Sequence, residues 1–394
     1  MTAVPSTDAN SGDGPQRGRH RRGGRGGRGG ERFMVPKAEF QSYYGRPIIK
    51  EPVWEVPDVP GYLFFGGLAG ASSVLAAGAQ LTSRPGLARA TKLAALGGIS
   101  VSTVFLIHDL GRPARFHHML RVFKLSSPMS VGSWILSAYG PMAGAAAAAD
   151  LAKLLPAGPS ASRPLRAAAA LARLAGPPAT AVAALLGPAV ATYTAVLICD
   201  TSVPGWHAAH REMPYVFVGS AASAAGGFAL LAAPPGQQEP ARRLAVLGSV
   251  AELTARQLLE RHLGEDLAEP YHQGKSGRIL KVAEVLTAAG AAGAALTRRT
   301  RVGSALSGVA LLAASALTRY GVFEAGLASA RDPKYTVVPQ RQRAEARQQA
   351  QEQARNLDHA RDPQTLGDRA GRVYPDGKPD PGQGGSSVAD LRAW

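Results

Sequence analysis

Between residues 59 and 323 the chain repeats one pattern: about twenty mainly apolar residues, then a short polar connection. A run of that length, wound as a helix, matches the hydrocarbon thickness of a bilayer. Lipid offers the backbone no water to bond, so a spanning segment closes its own hydrogen bonds as a helix. The pattern predicts an all-α fold, a polytopic transmembrane bundle of about eight helices. The expected spans are 59–81, 89–107, 130–151, 178–199, 214–233, 242–262, 279–297 and 302–323.

A mean hydropathy of -0.05 suggests a soluble protein. The average misleads because the polar residues gather at the two ends. Residues 1–33 are an Arg/Gly-rich tail that cannot bury a core and is expected to be disordered. Residues 34–57 carry Tyr43, Tyr44, Trp54 and several prolines, which suit an interfacial arm on the membrane surface or on a partner subunit. Residues 58–330 form the eight-helix membrane domain. Residues 331–394 are a polar, largely disordered tail, helix-prone after about residue 340. Arg163 to Arg173, Ala-rich with one basic side, reads as a short interfacial helix.

The net charge of +16 sits mostly in the tails and in loops flanking apolar spans. That placement marks membrane topology and contact with anionic lipid, and not nucleic-acid binding. An even number of spans puts both termini on one side. The Arg-rich amino-terminal tail argues for the cytoplasm. Arg84, Arg89, Lys92, Lys153, Arg163, Arg166, Arg242, Arg243, Arg298, Arg299 and Arg301, at the opposite loops, argue that the termini lie outside.

Two absences limit the chemistry. Cys199 is the one cysteine, so this chain holds no iron–sulfur cluster and no zinc site of the cysteine type. Its nine histidines fall in tails, loops or span ends, whereas haem b between helices needs axial His inside facing spans, so no haem is expected. The spans do carry charge. Glu252 and Arg256 are spaced i,i+4 and should share an interior face and pair. Glu284 lies one turn beyond Lys281 in the next span. The eighth span ends with Arg319, Tyr320 and Glu324, and together these groups form either an ion-pair network that locks helices, or a proton path through Glu252, Arg256 and Glu284 or a quinone-facing polar pocket.

The stretch His108-Asp109-Leu110-Gly111-Arg112-Pro113-Ala114-Arg115-Phe116 puts an acid, a His and two Arg beside the bilayer, where charge is costly. His108 is either an acid–base group near neutral pH or a helix-end residue satisfying backbone carbonyls.

Four segments resemble the NrfD family of membrane subunits of polysulphide-reductase-type complexes. They are Gly61-Tyr62-Leu63-Phe64-Phe65-Gly66-Gly67-Leu68-Ala69-Gly70; Asp109-Leu110-Gly111-Arg112-Pro113 through Arg115-Phe116 to Ser127-Pro128-Met129-Ser130-Val131-Gly132-Ser133-Trp134; Tyr193-Thr194-Ala195-Val196-Leu197 with Val203-Pro204-Gly205-Trp206 and Met213-Pro214-Tyr215-Val216-Phe217; and Arg319-Tyr320-Gly321-Val322-Phe323-Glu324-Ala325-Gly326 with Asp332-Pro333-Lys334-Tyr335. The resemblance implies a multi-pass subunit in a bacterial plasma membrane. It would anchor a ferredoxin-like 4Fe–4S subunit and, through it, a molybdopterin catalytic subunit of formate dehydrogenase or polysulphide/thiosulphate reductase type. Electrons would pass between those clusters and menaquinone bound here. Candidate quinone-binding residues are Tyr62, His108, Asp109, Arg112 and Tyr139. Arg112 and Arg115 are the candidate docking residues. A polytopic transporter and a purely structural anchor are the alternatives.

Overall fold

The computed structural model describes residues 48–154, 162–297 and 300–361. The expected amino-terminal tail, residues 34–47 of the arm, residues 155–161, Arg298 and Arg299, and residues 362–394 of the carboxyl-terminal tail lie outside the described residues. The described chain is all-α. Its long helices are α1 (Asp58–Leu81), α2 (Pro85–Asp109), α3 (Pro128–Ala152), α4 (Arg163–Cys199), α6 (Met213–Ala232), α7 (Glu239–His272), α8 (Gly274–Leu296), α9 (Arg301–Arg331) and α10 (Lys334–Arg361), with a short α5 (Pro204–Ala208).

Local chemistry sets the helix starts. Proline occupies the first turn of α2 and α3, where its missing N–H is no loss. The Ser127 side chain caps α3 by accepting from the Ser130 N–H. The orphan N–H groups of Gly86 and Leu87 at the start of α2 donate to Gln237 Oε1 at 2.8 and 3.0 Å, from the turn between α6 and α7.

Each of the eight expected spans falls on a helix, with three differences. Six helices, α1, α2, α4, α6, α8 and α9, are long and apolar enough to cross a membrane. α3, rich in Ala, Gly and Ser, and α7, more polar with Glu252 and Arg256 well inside it, have the length and pack among them. The separate interfacial helix at 163–173 is not seen. It runs straight into α4, whose 37 residues span about 55 Å, well beyond the ~30 Å hydrocarbon layer. The carboxyl-terminal region read as largely disordered carries α10. Lys334 ties its start to the end of α7 through Glu269 at 2.8 Å. That hydrogen-bonded ammonium holds the Glu269 carboxyl below the usual carboxylate range.

The helices form two sets of four with the same pairing. In α1–α4, the first helix packs on the second and fourth, and the third on the fourth; α6–α9 repeat this. α1 and α6 join the sets. The first-to-fourth crossings bring glycine backbones together. A Cβ on Gly70 or Gly187 would strike the other's carbonyl oxygen, and Gly227 and Gly308 are related in the same way. Small residues permit such approach where packing, and not the hydrophobic effect, drives helix association.

Candidate functional site

The polar chemistry gathers at the end of the bundle where α1, α3, α6 and α8 begin. Asp58 opens α1 and is buried. Its Oδ2 lies 2.6 Å from Nδ1 of His108, whose imidazole is 72% exposed. His108 is therefore oriented by Asp58 across two helices, and not by its neighbour Asp109. The Asp109 carboxylate accepts the Glu55 N–H at 3.4 Å, which ties the arm to the end of α2. The arm also packs on this chain through Trp54, stacked on Trp206 with centroids 5.8 Å apart. Trp206 in turn donates to the Val322 carbonyl at 2.8 Å.

Arg112 and Arg115 are exposed, and neither side chain has a partner among the described residues. Arg112 precedes and Arg115 lies within a short 3₁₀ helix, Pro113–Leu120, in which no residue is buried. The same loop exposes Phe116, Val122, Phe123 and Leu125. Basic and apolar groups thus share one uncovered surface.

The two candidate tyrosines are placed apart. Tyr139 is fully buried. Its hydroxyl donates to the Ala69 carbonyl at 2.7 Å and lies 2.7 Å from Ser73 Oγ, so it locks α3 to α1 with no donor to spare. Tyr62 is buried near the start of α1, its ring edge-on to Tyr193 at 6.2 Å.

Tyr193 borders an open cleft of ≈ 590 Å³ between α3 and the end of α4. Val131, Ile135 and Val196 supply apolar wall, and Asp200, His207 and His210 stand with them in the lining. Only 8% of Tyr193 is exposed, and its buried hydroxyl has no hydrogen-bond partner. Gly132 makes room for the ring: a Cβ there would sit 2.6 Å from Tyr193 Cδ2. His207 Nδ1 lies 3.2 Å from the Cys199 carbonyl and His210 Nδ1 3.0 Å from the His207 carbonyl. A carbonyl only accepts, so each Nδ1 carries the proton in these contacts and each Nε2 is left for exchange.

The charged residues inside the spans are not brought together. Arg256 does not pair with Glu252 as expected. Its Nε meets Glu260 at 3.0 Å and its Nη1 donates to the Leu280 carbonyl at 2.8 Å. Glu284 pairs with Lys281 at 3.1 Å on the outer surface. Glu252 is buried alone on its helix and accepts the Thr318 hydroxyl at 2.8 Å, leaving Oε2 without a partner. Arg319, fully buried on α9, lies over the Phe217 ring at 3.9 Å and donates Nη2 to the Phe217 carbonyl at 2.7 Å. Its Nε and Nη1 have no partner. No ion pair joins Glu252 to Arg319 among the described residues, and Arg256, the turn-by-turn neighbour on α7, turns to Glu260 and to the Leu280 carbonyl of α8.

Glu252→Ala removes the acceptor of the buried Thr318 hydroxyl and leaves that group unsatisfied, which costs about 1–3 kcal/mol. Glu252→Gln keeps the acceptor for Thr318 and should lose far less. Thermal midpoints of the two variants in one detergent check this; equal midpoints would contradict it.

Asp58, Tyr193 and His207 are candidate-site residues that sequence reasoning did not single out, whereas Arg319 stands among the charged groups at the end of the eighth span. A signal existed for Asp58, an acid in the first turn of a span, where the helix dipole favours it. For Tyr193 the only signal was its place in a Tyr-Thr-Ala motif.

A family model described as polysulphide reductase, NrfD, matches residues 48–253. No curated protein matches the chain. The matched region holds Asp58, Tyr62, His108, Tyr193, His207 and Glu252; Arg319 lies beyond it.

Proposed function

This chain belongs to the polysulphide reductase NrfD family, multi-pass membrane subunits of quinone-linked oxidoreductases, and we propose on that premise that the cleft beside Tyr193 is where it exchanges electrons with menaquinone. The observation that carries the reading is the Tyr193 hydroxyl, buried in the wall of an apolar cleft with nothing to bond. An unmade hydrogen bond in such a place costs about 1–3 kcal/mol unless a ligand supplies the acceptor. A quinone carbonyl fits that need, and its rings and isoprenoid tail fit the aliphatic wall.

Menaquinone, when bound, supplies two carbonyls that together take up two electrons and two protons. The protein's part is positioning and proton supply. Tyr193 holds a donor toward the carbonyl and so favours negative charge as it develops there. Tyr62 braces the Tyr193 ring. His207 and His210, exposed on water and each with a ring nitrogen free, carry protons between solvent and the cleft. His108, oriented by Asp58, is a second exchange group at the same end, with Asp109 holding the arm. The proton-path reading narrows to Glu252 with Arg319, whose unpartnered buried atoms call for bound water.

The partner reading rests on the loop between α2 and α3. Arg112 and Arg115 stand with Phe116 and Phe123 on an uncovered surface, and Leu125 of that loop also lines the cleft. A ferredoxin-like 4Fe–4S subunit seated there places its clusters beside the cleft and links a molybdopterin subunit to it, in a bacterial plasma membrane. Arg112→Glu with Arg115→Glu should lower the co-purifying iron–sulfur subunit by about tenfold at low salt, because like charges then oppose docking. Iron content of the affinity-purified complex measures this; undiminished iron would exclude these two residues from the interface.

Purification of the complex from its native membrane, with a menaquinone analogue as acceptor or donor, tests the function directly. A chain that purifies alone and supports no quinone-linked electron transfer would refute it.

A further inference from the structure

The opposite end of the bundle carries a second polar cavity. It measures ≈ 130 Å³ and lies among the ends of α1 and α3 and the start of α2. Arg84, Arg89, Lys92 and Lys153 line it, against one carboxylate, Asp150. Lys92 is 3% exposed and is already committed, at 3.3 Å from Asp150 and 2.8 Å from Gln80 Oε1. Lys153 also pairs with Asp150. Arg84 and Arg89 have no counter-ion among the described residues, and the Nε of Arg89 is buried without any partner. A pocket lined by two arginines without counter-ions, one of them with a buried nitrogen that bonds nothing, has the chemistry of an oxyanion site.

We infer that this pocket binds the phosphate group of an anionic phospholipid. The volume admits one tetrahedral oxyanion and not a whole head group. Leu81, Leu151 and Leu154, each next in the chain to a lining residue (Gln80, Asp150 and Lys153), are exposed and offer apolar surface to an acyl chain. A free phosphate would use the guanidinium groups but not the leucines. The same end of the bundle carries Arg163, Arg166, Arg243 and Arg301. A leaflet bearing anionic lipid lies against such a face.

The test uses the full chain in a neutral detergent, with phosphatidylglycerol, phosphatidylcholine and inorganic phosphate added separately. Native mass spectrometry counts retained lipid, and the thermal midpoint reports binding in all three arms. Phosphatidylglycerol should be retained over phosphatidylcholine and should raise the midpoint. In Arg84→Gln with Arg89→Gln, its affinity should fall roughly 25-fold, from about fivefold for each basic side chain near a bilayer surface. Arg84→Gln alone should give the single step. Arg243→Gln, at the same end but already paired with Glu239, should bind as the parent does. An Arg84- and Arg89-dependent shift with inorganic phosphate alone would also support the phosphate site and name the free anion as its source. Equal retention of both lipids with no phosphate shift, or undiminished binding in the double variant, would overturn the inference.

Discussion

Tyr193→Phe should lower quinone-linked turnover of the assembled complex by about 10²-fold, the usual loss when one donor to a developing oxyanion is removed. The fold should not suffer. The hydroxyl has no partner within the protein, so its removal relieves a buried polar group while the ring keeps its contacts with Tyr62 and its place opposite Gly132. Tyr139→Phe provides the contrast. That hydroxyl bonds Ala69 and Ser73 between helices, so its loss should cost stability, about 1 kcal/mol, with little direct effect on turnover. Steady-state assays with a menaquinol analogue, paired with thermal midpoints of the same preparations, separate the two. Full activity in Tyr193→Phe would move the quinone site elsewhere.

Gly70→Ala should destabilise the bundle by about 1–3 kcal/mol and Gly70→Leu by more, because overpacked contacts relax only when something can move. Here the obstacle is the Gly187 carbonyl oxygen, part of a helix backbone. Gly97→Ala is the control. A Cβ there meets nothing within 4 Å, and alanine is the better helix former by about 1 kcal/mol. Midpoints in one detergent should therefore fall for the first variant and hold or rise for the second. Shifts of the same sign and size would show that the α1–α4 crossing is not as tight as the structure has it.

The helices were legible because bilayer thickness and backbone hydrogen bonding act on every residue of a span in the same local way. The limits of α1 and α6 follow the apolar runs within a residue or two. The start of α4 did not, since Ala-rich sequence continues the helix through Pro177 and Pro178 without an apolar signal to mark the join. The pairing of the two four-helix sets was not legible either. The Gly–Gly crossings that define it repeat in space, while the residues around Gly70 and Gly227 share no clear motif.

The candidate site divides along the same line. His108, Asp109, Arg112 and Arg115 could be picked out because charge beside lipid is conspicuous in one dimension. The partners of His108 and Glu252 could not, since Asp58 and Thr318 lie 50 and 66 residues away along the chain.

Hydropathy and charge along the chain determined that it spans a membrane as helices, where its polar ends are and which loop sets charge beside the bilayer. The tertiary structure alone decided which side chains meet. Each residue turns a helix by about 100°, so a shift of a single position in how two helices face each other replaces every contact between them, and nothing local in the sequence records that angle.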